Sequence, residues 1–95
     1  MSDIQELIKR RRYQMMVHSF IYYELNDNII DDATWSKWAM ELQELQEKHP
    51  NDSKAVKDYY DEFVGWDGSS GAFLKFDRAT MGRAYMLLRM KQKMS

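Results

Sequence analysis

Few residues of this chain belong to the types that catalyse reactions, and none stands in a known catalytic pattern. The sequence has no cysteine, and its two histidines, His18 and His49, are too few for a zinc site unless carboxylates complete it. The segment from 65 to 71 contains three glycines but no lysine or threonine in the order of a phosphate-binding loop. Neither Gly-x-Ser-x-Gly nor Lys-x-Asp-Gly occurs, since Lys57-Asp58 is followed by Tyr59. The sequence therefore predicts a protein that is not an enzyme on its own.

The charge of the chain is balanced overall but unevenly placed, with a formal net charge of −1. The basic residues fall into two groups, Lys9, Arg10, Arg11 and Arg12 near the start and Arg83, Arg89, Lys91 and Lys93 near the end. Two interpretations fit this pattern: the groups contact the phosphates of a nucleic acid, or they are solvated helix faces. Because DNA-binding domains are usually clearly basic, the net charge argues against strong DNA binding.

Length and composition predict one small domain around a modest core. The chain has 95 residues, of which 44% are hydrophobic and 14% aromatic. The polar start is followed by no apolar stretch that resembles a signal peptide or a membrane span. The lack of cysteine fits a reducing compartment. We therefore expect a cytoplasmic protein without a membrane segment.

Hydrophobic periodicity predicts an all-α fold of three to four antiparallel helices. A capping box of Ser2 and Gln5 starts the first helix, which is nearly apolar from Tyr13 to Leu25, so other elements should surround its second half. The turn-forming residues 26 to 28 end it. Asp31-Asp32 then offers an N-cap to a second helix, which ends at Pro50.

The remaining sequence predicts two more helices. Asn51-Asp52-Ser53 should cap a third helix that Gly65 stops, and Asp77 should cap the last one. Between them lie a glycine-rich loop and residues 72 to 76, which could be extended but have no strand to pair with. We expect residues 1–65 to form a helical unit on which the loop and last helix, residues 66–95, pack in the same domain.

One stretch of the chain is more specific than helical packing. A tyrosine pair, Tyr22-Tyr23, ends a helix and precedes an acidic turn, and Ile30-Asp-Asp-Ala-Thr-Trp35 follows. Glu41-Leu-Gln-Glu-Leu45 then leads to His49-Pro50. In order and spacing these features resemble the amino-terminal (Ia) domain of bacterial NAD-dependent DNA ligases, over about residues 14 to 50. No match extends beyond Gly65.

The resemblance implies a ligand and a set of contacts. In those ligases the domain closes over NAD and holds its nicotinamide mononucleotide (NMN) half. Aromatic side chains face the nicotinamide ring, and carboxylates meet ribose and amide groups. Tyr22 and Tyr23 match the aromatic pair, and Asp32 matches the first aspartate. Trp35 replaces a tyrosine and loses its hydroxyl, and Ser36 replaces an aspartate and loses its charge.

The function that the resemblance implies is a non-catalytic binding module related to DNA replication and repair. A nucleotidyl-transfer domain alone would need well over ~150 residues. The module would bind NMN or NAD weakly, or act in trans on a separate ligase adenylation domain or another replication protein. A small standalone segment of this kind leads us to expect a phage or mobile-element gene.

Each candidate residue also has a structural interpretation. Asp32 fits a helix cap, a role compatible with ligand binding. At least one tyrosine of the pair is expected in the core, and Trp35 is expected to pack on the first helix. His18 lies on the helical face of Tyr22. We expect a structural hydrogen bond for it, with contact to a ribose or phosphate as the alternative.

Two other functions remain open at this level. The chain fits a nucleic-acid accessory protein, in which the basic groups contact phosphates and Trp66 stacks on a base. It also fits a helical interaction module or homodimer that has lost the ligand. An adaptable apolar surface near the end of the chain would serve that role, formed by Met81, Met86, Leu87, Met90 and Met94.

Overall fold

The amphipathic stripes of the sequence form five α-helices and no strand within residues 2–71 and 74–94, the part of the chain that this computed structural model describes. The helices are α1 (Asp3–Tyr23), α2 (Asp32–Lys48), α3 (Pro50–Ala55), α4 (Tyr60–Phe63) and α5 (Arg78–Met94). The prediction of a single small all-α domain is confirmed. No helix of those residues is both long and apolar enough to cross a membrane.

Helix α1 lies between α2 and α5. The second half of α1 is nearly apolar on all sides and must therefore be covered by neighbouring helices. All residues from Met15 to Ile21 are buried, which confirms that other elements surround this half. One core cluster joins α1 to α2 and to the segments around α3 and α4: Ile8, Met15, Met16, Ala39, Leu42, Val56, Phe63, Trp66 and Leu74. A smaller cluster joins α1 to α5: Val17, Phe20, Ile21 and Ala84.

The directions of the long helices follow from contacts between their ends. Helices α1 and α2 are antiparallel, since Gln5 contacts Asp52 beyond the end of α2. Helix α5 instead runs in the same general direction as α1. Arg83 near its start lies over the ring of Tyr13, and Lys91 near its end reaches the Asn28 carbonyl. The long connection after α4 makes this possible, because it returns the chain to the level of Tyr13.

The helix caps agree in part with the predictions. Ser2 Oγ accepts a hydrogen bond from the Gln5 amide at 3.1 Å, as expected for an N-cap. The reciprocal half of the capping box is wrong, because the Gln5 side chain donates to Asp52 instead, at 2.9 Å. Asp77 caps α5 as predicted, accepting from the Thr80 amide at 2.9 Å.

The predicted third helix is wrong, because the chain forms two short helices in its place. Helix α3 already begins at Pro50, and α4 begins at Tyr60. Between them Tyr59 has a φ of 55°, in the left-handed region, which costs a non-glycine residue roughly 1–2 kcal/mol. The Tyr59 hydroxyl holds this conformation by donating to the Asp77 carboxylate, with a shortest distance of 2.9 Å.

The segment expected to be extended lies partly outside the described residues, namely Ala72 and Phe73. Residues 74 to 76 form no strand, consistent with the lack of a pairing partner. Within the same connection Leu74 and Trp66 are buried in the larger core cluster. The described part of the connection therefore packs on the helices through the side chains of Trp66 and Leu74.

A buried arginine ties three helices together. The Arg12 side chain is fully buried, and all five of its N–H groups donate hydrogen bonds. The acceptors are the Gln46 side-chain oxygen, the Ser53 hydroxyl and the backbone carbonyls of Ser53, Val56 and Asp58, at 2.6–2.9 Å. Burial lowers the pKa of the Arg12 guanidinium, but an arginine keeps its charge at neutral pH.

We predict that Arg12→Lys lowers the free energy of unfolding by about 2–4 kcal/mol, because lysine cannot satisfy five buried acceptor contacts. Urea denaturation followed by circular dichroism measures this. The matched control is Arg10→Lys, which changes an exposed side chain and should cost less than about 0.5 kcal/mol. Equal effects of the two substitutions would contradict the structural role of Arg12.

Candidate functional site

The five residues singled out as ligand contacts line one pocket. It opens where α1 ends and α2 begins, beneath the connection between them, and has a volume of about 130 Å³. Its lining consists of His18, Tyr22 and Tyr23 from α1, Asn28, Ile29 and Ile30 from the connection, and Asp32, Trp35 and Ser36 from α2. The structure thus brings together all five candidate residues, three from the end of α1 and two from the start of α2.

The tyrosine pair forms an exposed aromatic edge of the pocket. Tyr22 and Tyr23 are 49% and 39% exposed, and their rings meet edge to face with centroids 4.9 Å apart. The expectation that at least one of them belongs to the core is wrong. The burial of α1 stops at Ile21, so its last two residues project beyond the cover that its neighbours provide.

Trp35 forms a supported wall of the pocket. Its Nε1 donates to Ser19 Oγ at 3.3 Å, which agrees with the expectation that it packs on the first helix. Its ring also lies edge to face against Trp66, with centroids 6.2 Å apart. Trp66 is itself held by a hydrogen bond from Nε1 to the Ser70 carbonyl at 2.8 Å. The orientation of Trp35 is therefore fixed from two sides.

The glycine-rich loop closes tightly behind Trp35. A Cβ atom added at Gly71 would lie 2.7 Å from Ser19 Cβ, closer than real side chains approach. Only glycine lets the backbone reach this position. Sequence reasoning missed the loop's role in supporting the pocket; the available signal was a tryptophan next to three closely spaced glycines.

The two adjacent aspartates at the start of α2 have different roles. Asp31 is the cap: its Oδ1 accepts from the Thr34 amide at 2.8 Å, and these Thr34 contacts lower the pKa of the Asp31 carboxyl. The cap role considered for Asp32 is therefore wrong. Asp32 is exposed, and its carboxylate makes no hydrogen bond or ion pair to any residue that the structure describes. It is free to accept from a ligand in the pocket.

His18 is the most buried polar side chain of the pocket, with 9% of its surface exposed. Its ring packs against Trp38, with centroids 5.6 Å apart. Burial lowers the pKa of the imidazole, so His18 is neutral at pH 7. Nδ1 does not make the structural hydrogen bond expected for His18, because it is buried with no hydrogen-bond partner in the described chain.

The charge of the pocket is negative. Its lining includes the Asp32 carboxylate, the neutral His18 and no lysine or arginine. Sequence reasoning did not anticipate the contributions of Asn28 and Ile29, although both adjoin the predicted turn. Among the described residues, no group of three or more histidine, aspartate or glutamate side chains could hold a metal ion. The arrangement suits a flat cation rather than an anion or a metal.

The first basic group does not form a free phosphate-binding face. The prediction that Arg12 contacts a nucleic acid is wrong, because its side chain is fully buried and all its N–H groups are bonded within the protein. Arg11 forms a 2.8 Å ion pair with Glu41. Lys9 lies 5.9 Å from the centre of the Tyr13 ring, and Arg10 is exposed.

The second basic group is also partly engaged. Lys91 donates to the Asn28 carbonyl at 2.8 Å and lies 3.6 Å from the Asp27 carboxylate, while Arg89 and Lys93 are exposed. Trp66 does not offer a surface for stacking on a base, because only 6% of it is exposed.

Comparisons of the chain with known protein families, with curated proteins and with solved structures find no match. The functional argument therefore depends on the residues of the pocket and on the sequence features described above.

The division of roles between the two aspartates gives a prediction. Asp31→Ala should lower the urea concentration at the unfolding midpoint, whereas Asp32→Ala should leave it nearly unchanged, because only Asp31 caps α2. Since the Asp31 pKa is lowered from 3.8, its stabilising effect is present above about pH 4 and is lost as the pH falls through the folded-state pKa. Denaturation at pH 7 and pH 3 measures both effects; a larger loss for Asp32→Ala would contradict the assignment.

Proposed function

We propose that this protein is a non-catalytic binding module whose pocket takes the positively charged nicotinamide ring of NMN or NAD. The observation that carries the proposal is the meeting of His18, Tyr22, Tyr23, Asp32 and Trp35 around one pocket. Four of these residues, Tyr22, Tyr23, Asp32 and Trp35, stand at the positions that the resemblance to the ligase Ia domain selects. The lack of a Lys-x-Asp-Gly motif supports a module without adenylation chemistry of its own.

The charge and composition of the pocket support a cationic ring as ligand. A flat cation is attracted to the face of a tryptophan or tyrosine, by about 0.5–2 kcal/mol. Trp35 offers such a face in a fixed orientation, and the tyrosine pair offers others at the rim. Asp32 adds a negative charge and accepts hydrogen bonds from amide or hydroxyl groups. The nicotinamide ring of NMN is an N-ribosylated pyridinium and fits all three features.

The size of the pocket indicates which part of the nucleotide enters it. A cavity of roughly 150 Å³ can hold one benzene ring, and this pocket measures about 130 Å³. Because the pocket is slightly smaller than that cavity, a nicotinamide ring would enter it in part, with the ribose at the mouth and the phosphate outside. No lysine or arginine lines the pocket, and Lys91, which donates to the carbonyl of the pocket residue Asn28, is already paired with Asp27, so the phosphate gains little from this protein. Binding by the isolated protein should therefore be weak.

The exposed phosphate also suggests how a partner would take part. A separate ligase adenylation domain, or another replication protein, could supply the missing cations and the catalytic lysine. The module would then act in trans, and NAD would bind between two chains. We also infer a cytoplasmic location, because the chain lacks cysteine and the ligand is a cytoplasmic cofactor.

The test is a titration of the ¹⁵N-labelled protein with NMN, followed by backbone amide shifts. We expect saturable shifts at Tyr22, Tyr23, Asp32 and Trp35 in the millimolar range. Nicotinamide riboside should bind about as well, because the pocket holds no cation for the phosphate. Reduced NMN, whose ring is uncharged, should bind about two- to thirtyfold more weakly, the range that a cation–π contact represents.

Two variants sharpen this titration. Asp32→Asn should weaken NMN binding while leaving the spectrum of the free protein otherwise unchanged. The matched control is Asp31→Asn, which alters the neighbouring carboxylate that the cap uses. If NMN produces no localised shifts at millimolar concentration, the proposed function is wrong. Equal binding of oxidised and reduced NMN would contradict the cationic-ring argument.

A second candidate function rests on the exposed apolar surface of α5. Tyr85, Met86 and Met90 are each more than half exposed, and the two methionines border an apolar groove between α1 and α5. Met81 and Leu87 are half-buried against the smaller core cluster, and the Met94 side chain lies outside the described residues. A self-associating surface of this kind would make the protein a homodimer.

Sedimentation velocity over a range of protein concentrations tests the dimer. If α5 is the interface, the sedimentation coefficient rises with concentration for the wild type and not for Met86→Lys. The exposed Met40 on α2 provides the matched control, Met40→Lys. A concentration-independent monomer would remove this candidate.

A further inference from the structure

One face of α5 is apolar and exposed. Tyr85, Met86 and Met90 expose 53%, 64% and 56% of their surfaces. The two methionines lie one helical turn apart and, together with Leu87, form one wall of a groove. The other wall is α1, from which Val17 lines the groove. Exposed apolar surface that continues into a groove is typical of an interaction site.

The dimensions of this groove indicate a helix as its occupant. Along α5 it runs from Arg83 to Met90, which at about 1.5 Å per residue spans roughly 10 Å, or about two turns. Its volume is about 320 Å³. Since a cavity of roughly 150 Å³ holds one benzene ring, the groove has room for about two large apolar side chains. An amphipathic helix that presents apolar side chains one turn apart meets both conditions.

The α5 wall of the groove is flanked by positive charge. Arg83 lines the groove near the start of the helix. Arg89 and Lys93 are exposed, and each follows a groove methionine, Met86 or Met90, by three residues on the same side of the helix. Helix α5 contains no aspartate or glutamate. A partner that reaches the methionines therefore meets cations along this wall.

The α1 wall adds another exposed cation. Tyr13 and Gln14 line the groove, and Arg10 is exposed one turn before Gln14. Lys9 lies near the Tyr13 ring, but the Asp58 carboxylate lies close enough to offset part of its charge. Asp58 itself already accepts a hydrogen bond from the Tyr13 hydroxyl at 2.6 Å. Arg10 is thus the exposed cation that this wall offers to a partner.

We propose that the groove between α1 and α5 binds an acidic amphipathic helix of another protein. The apolar side chains of that helix lie between Val17 and the two methionines, and its carboxylates lie against Arg10, Arg89 and Lys93. Methionine side chains are flexible and adapt to the shape of a partner. The surrounding cations select a partner of opposite charge. This inference goes beyond the nicotinamide site and does not depend on it.

Other occupants match the groove less well. A second copy of the chain would bring the basic side chains of its own α5 against the same cations, so charge favours an acidic partner over the homodimer considered above. A flat membrane surface does not fill a concave groove between two helices. A nucleic acid would find an apolar lining between the cations, where its phosphates gain no hydrogen bonds. An acidic helix supplies both a ridge that fills the groove and the opposite charge.

The test uses a synthetic fluorescein-labelled helical peptide with leucines at positions i, i+4 and i+7 and glutamates on both flanks. Fluorescence anisotropy measures its binding to the full chain, and backbone amide shifts of the ¹⁵N-labelled protein locate it. We expect saturable binding with shifts at Val17, Met86 and Met90. The same peptide with lysine in place of each glutamate should bind at least about tenfold more weakly, because several exposed ion pairs become repulsive.

Three results of this titration would overturn the proposal: no saturable binding of the acidic peptide, equal binding of the two peptides, or shifts confined to other parts of the chain. None of them bears on the nicotinamide pocket, which the NMN titration tests separately.

Two variants with matched controls separate charge from apolar contact. Arg89→Glu should weaken binding of the acidic peptide about fivefold or more, whereas Lys37→Glu, at an exposed position of α2, should not. Met86→Ser should weaken it about five- to tenfold, whereas Met40→Ser on α2 should not. All four positions are exposed, so the variants should fold. Equal effects in a variant and its control would contradict the proposed surface.

Measurements without the peptide distinguish the other occupants. We expect the chain alone to sediment as a monomer at the concentrations of the titration, and we expect no binding to vesicles of phosphatidylglycerol and phosphatidylcholine. Self-association that Met86→Ser abolishes would assign the groove to a second copy. Vesicle binding that the same substitution abolishes would assign it to a membrane surface. Either result would overturn the proposal.

Discussion

The burial of the Arg12 guanidinium is the constraint on which the rest of the structure depends. A buried cation that has lost its hydrating water needs an oxygen acceptor for every N–H group. Helix α1 places the Arg12 guanidinium in the core, away from water. The chain satisfies it with a side chain of α2 and with backbone carbonyls from residues 53 to 58. Those carbonyls point at the guanidinium instead of continuing a helix, which explains why the apolar pattern there does not give one long helix. Gln46 extends the network by donating to the Phe63 carbonyl at 2.9 Å.

By fixing the far end of the α1–α2 pair, this network determines what the near end presents. The two helices are held together from Gln5 to Ser19, and beyond Ile21 the residues of α1 are only partly covered. The last turn of α1, the first turn of α2 and the turn between them are left to enclose a small pocket. Its polar groups contrast with those of the core. Arg12 is fully satisfied, whereas His18 Nδ1 and the Asp32 carboxylate have no partner in the described chain. Of these two groups, the exposed Asp32 carboxylate lines the pocket, where a ligand can reach it.

The sequence predicted the features that depend on local chemistry. The start of α1 at Ser2, the cap of α5 at Asp77 and the buried second half of α1 follow from short-range patterns, and the structure agrees with them. Tyr22 and Trp35 were grouped by the resemblance to the ligase Ia domain, and His18 by its position on the helical face of Tyr22; the tight turn between α1 and α2 explains why the three converge. These predictions needed no knowledge of how distant segments pack.

The errors arose where distant segments decide the outcome. Arg12 belongs to a run of four basic residues, and nothing local distinguishes the one that enters the core from those that face solvent. The left-handed backbone of Tyr59 depends on a hydroxyl contact to Asp77, eighteen residues later. Asp31 and Asp32 are the same residue type at adjacent positions, and only the geometry of the turn decides which one caps the helix. The loop behind Trp35 packs through Gly71, whose partner Ser19 lies on another helix.

The central claim is that the near end of the α1–α2 pair is a binding site for a nicotinamide ring. A crystal structure of the protein grown with saturating NMN tests this most directly. The account predicts the ring against the face of Trp35, the Asp32 carboxylate within hydrogen-bond distance of an amide or hydroxyl group of NMN, and the phosphate outside the pocket. NMN bound elsewhere, or a pocket that stays empty while the ligand saturates the solution, would contradict it.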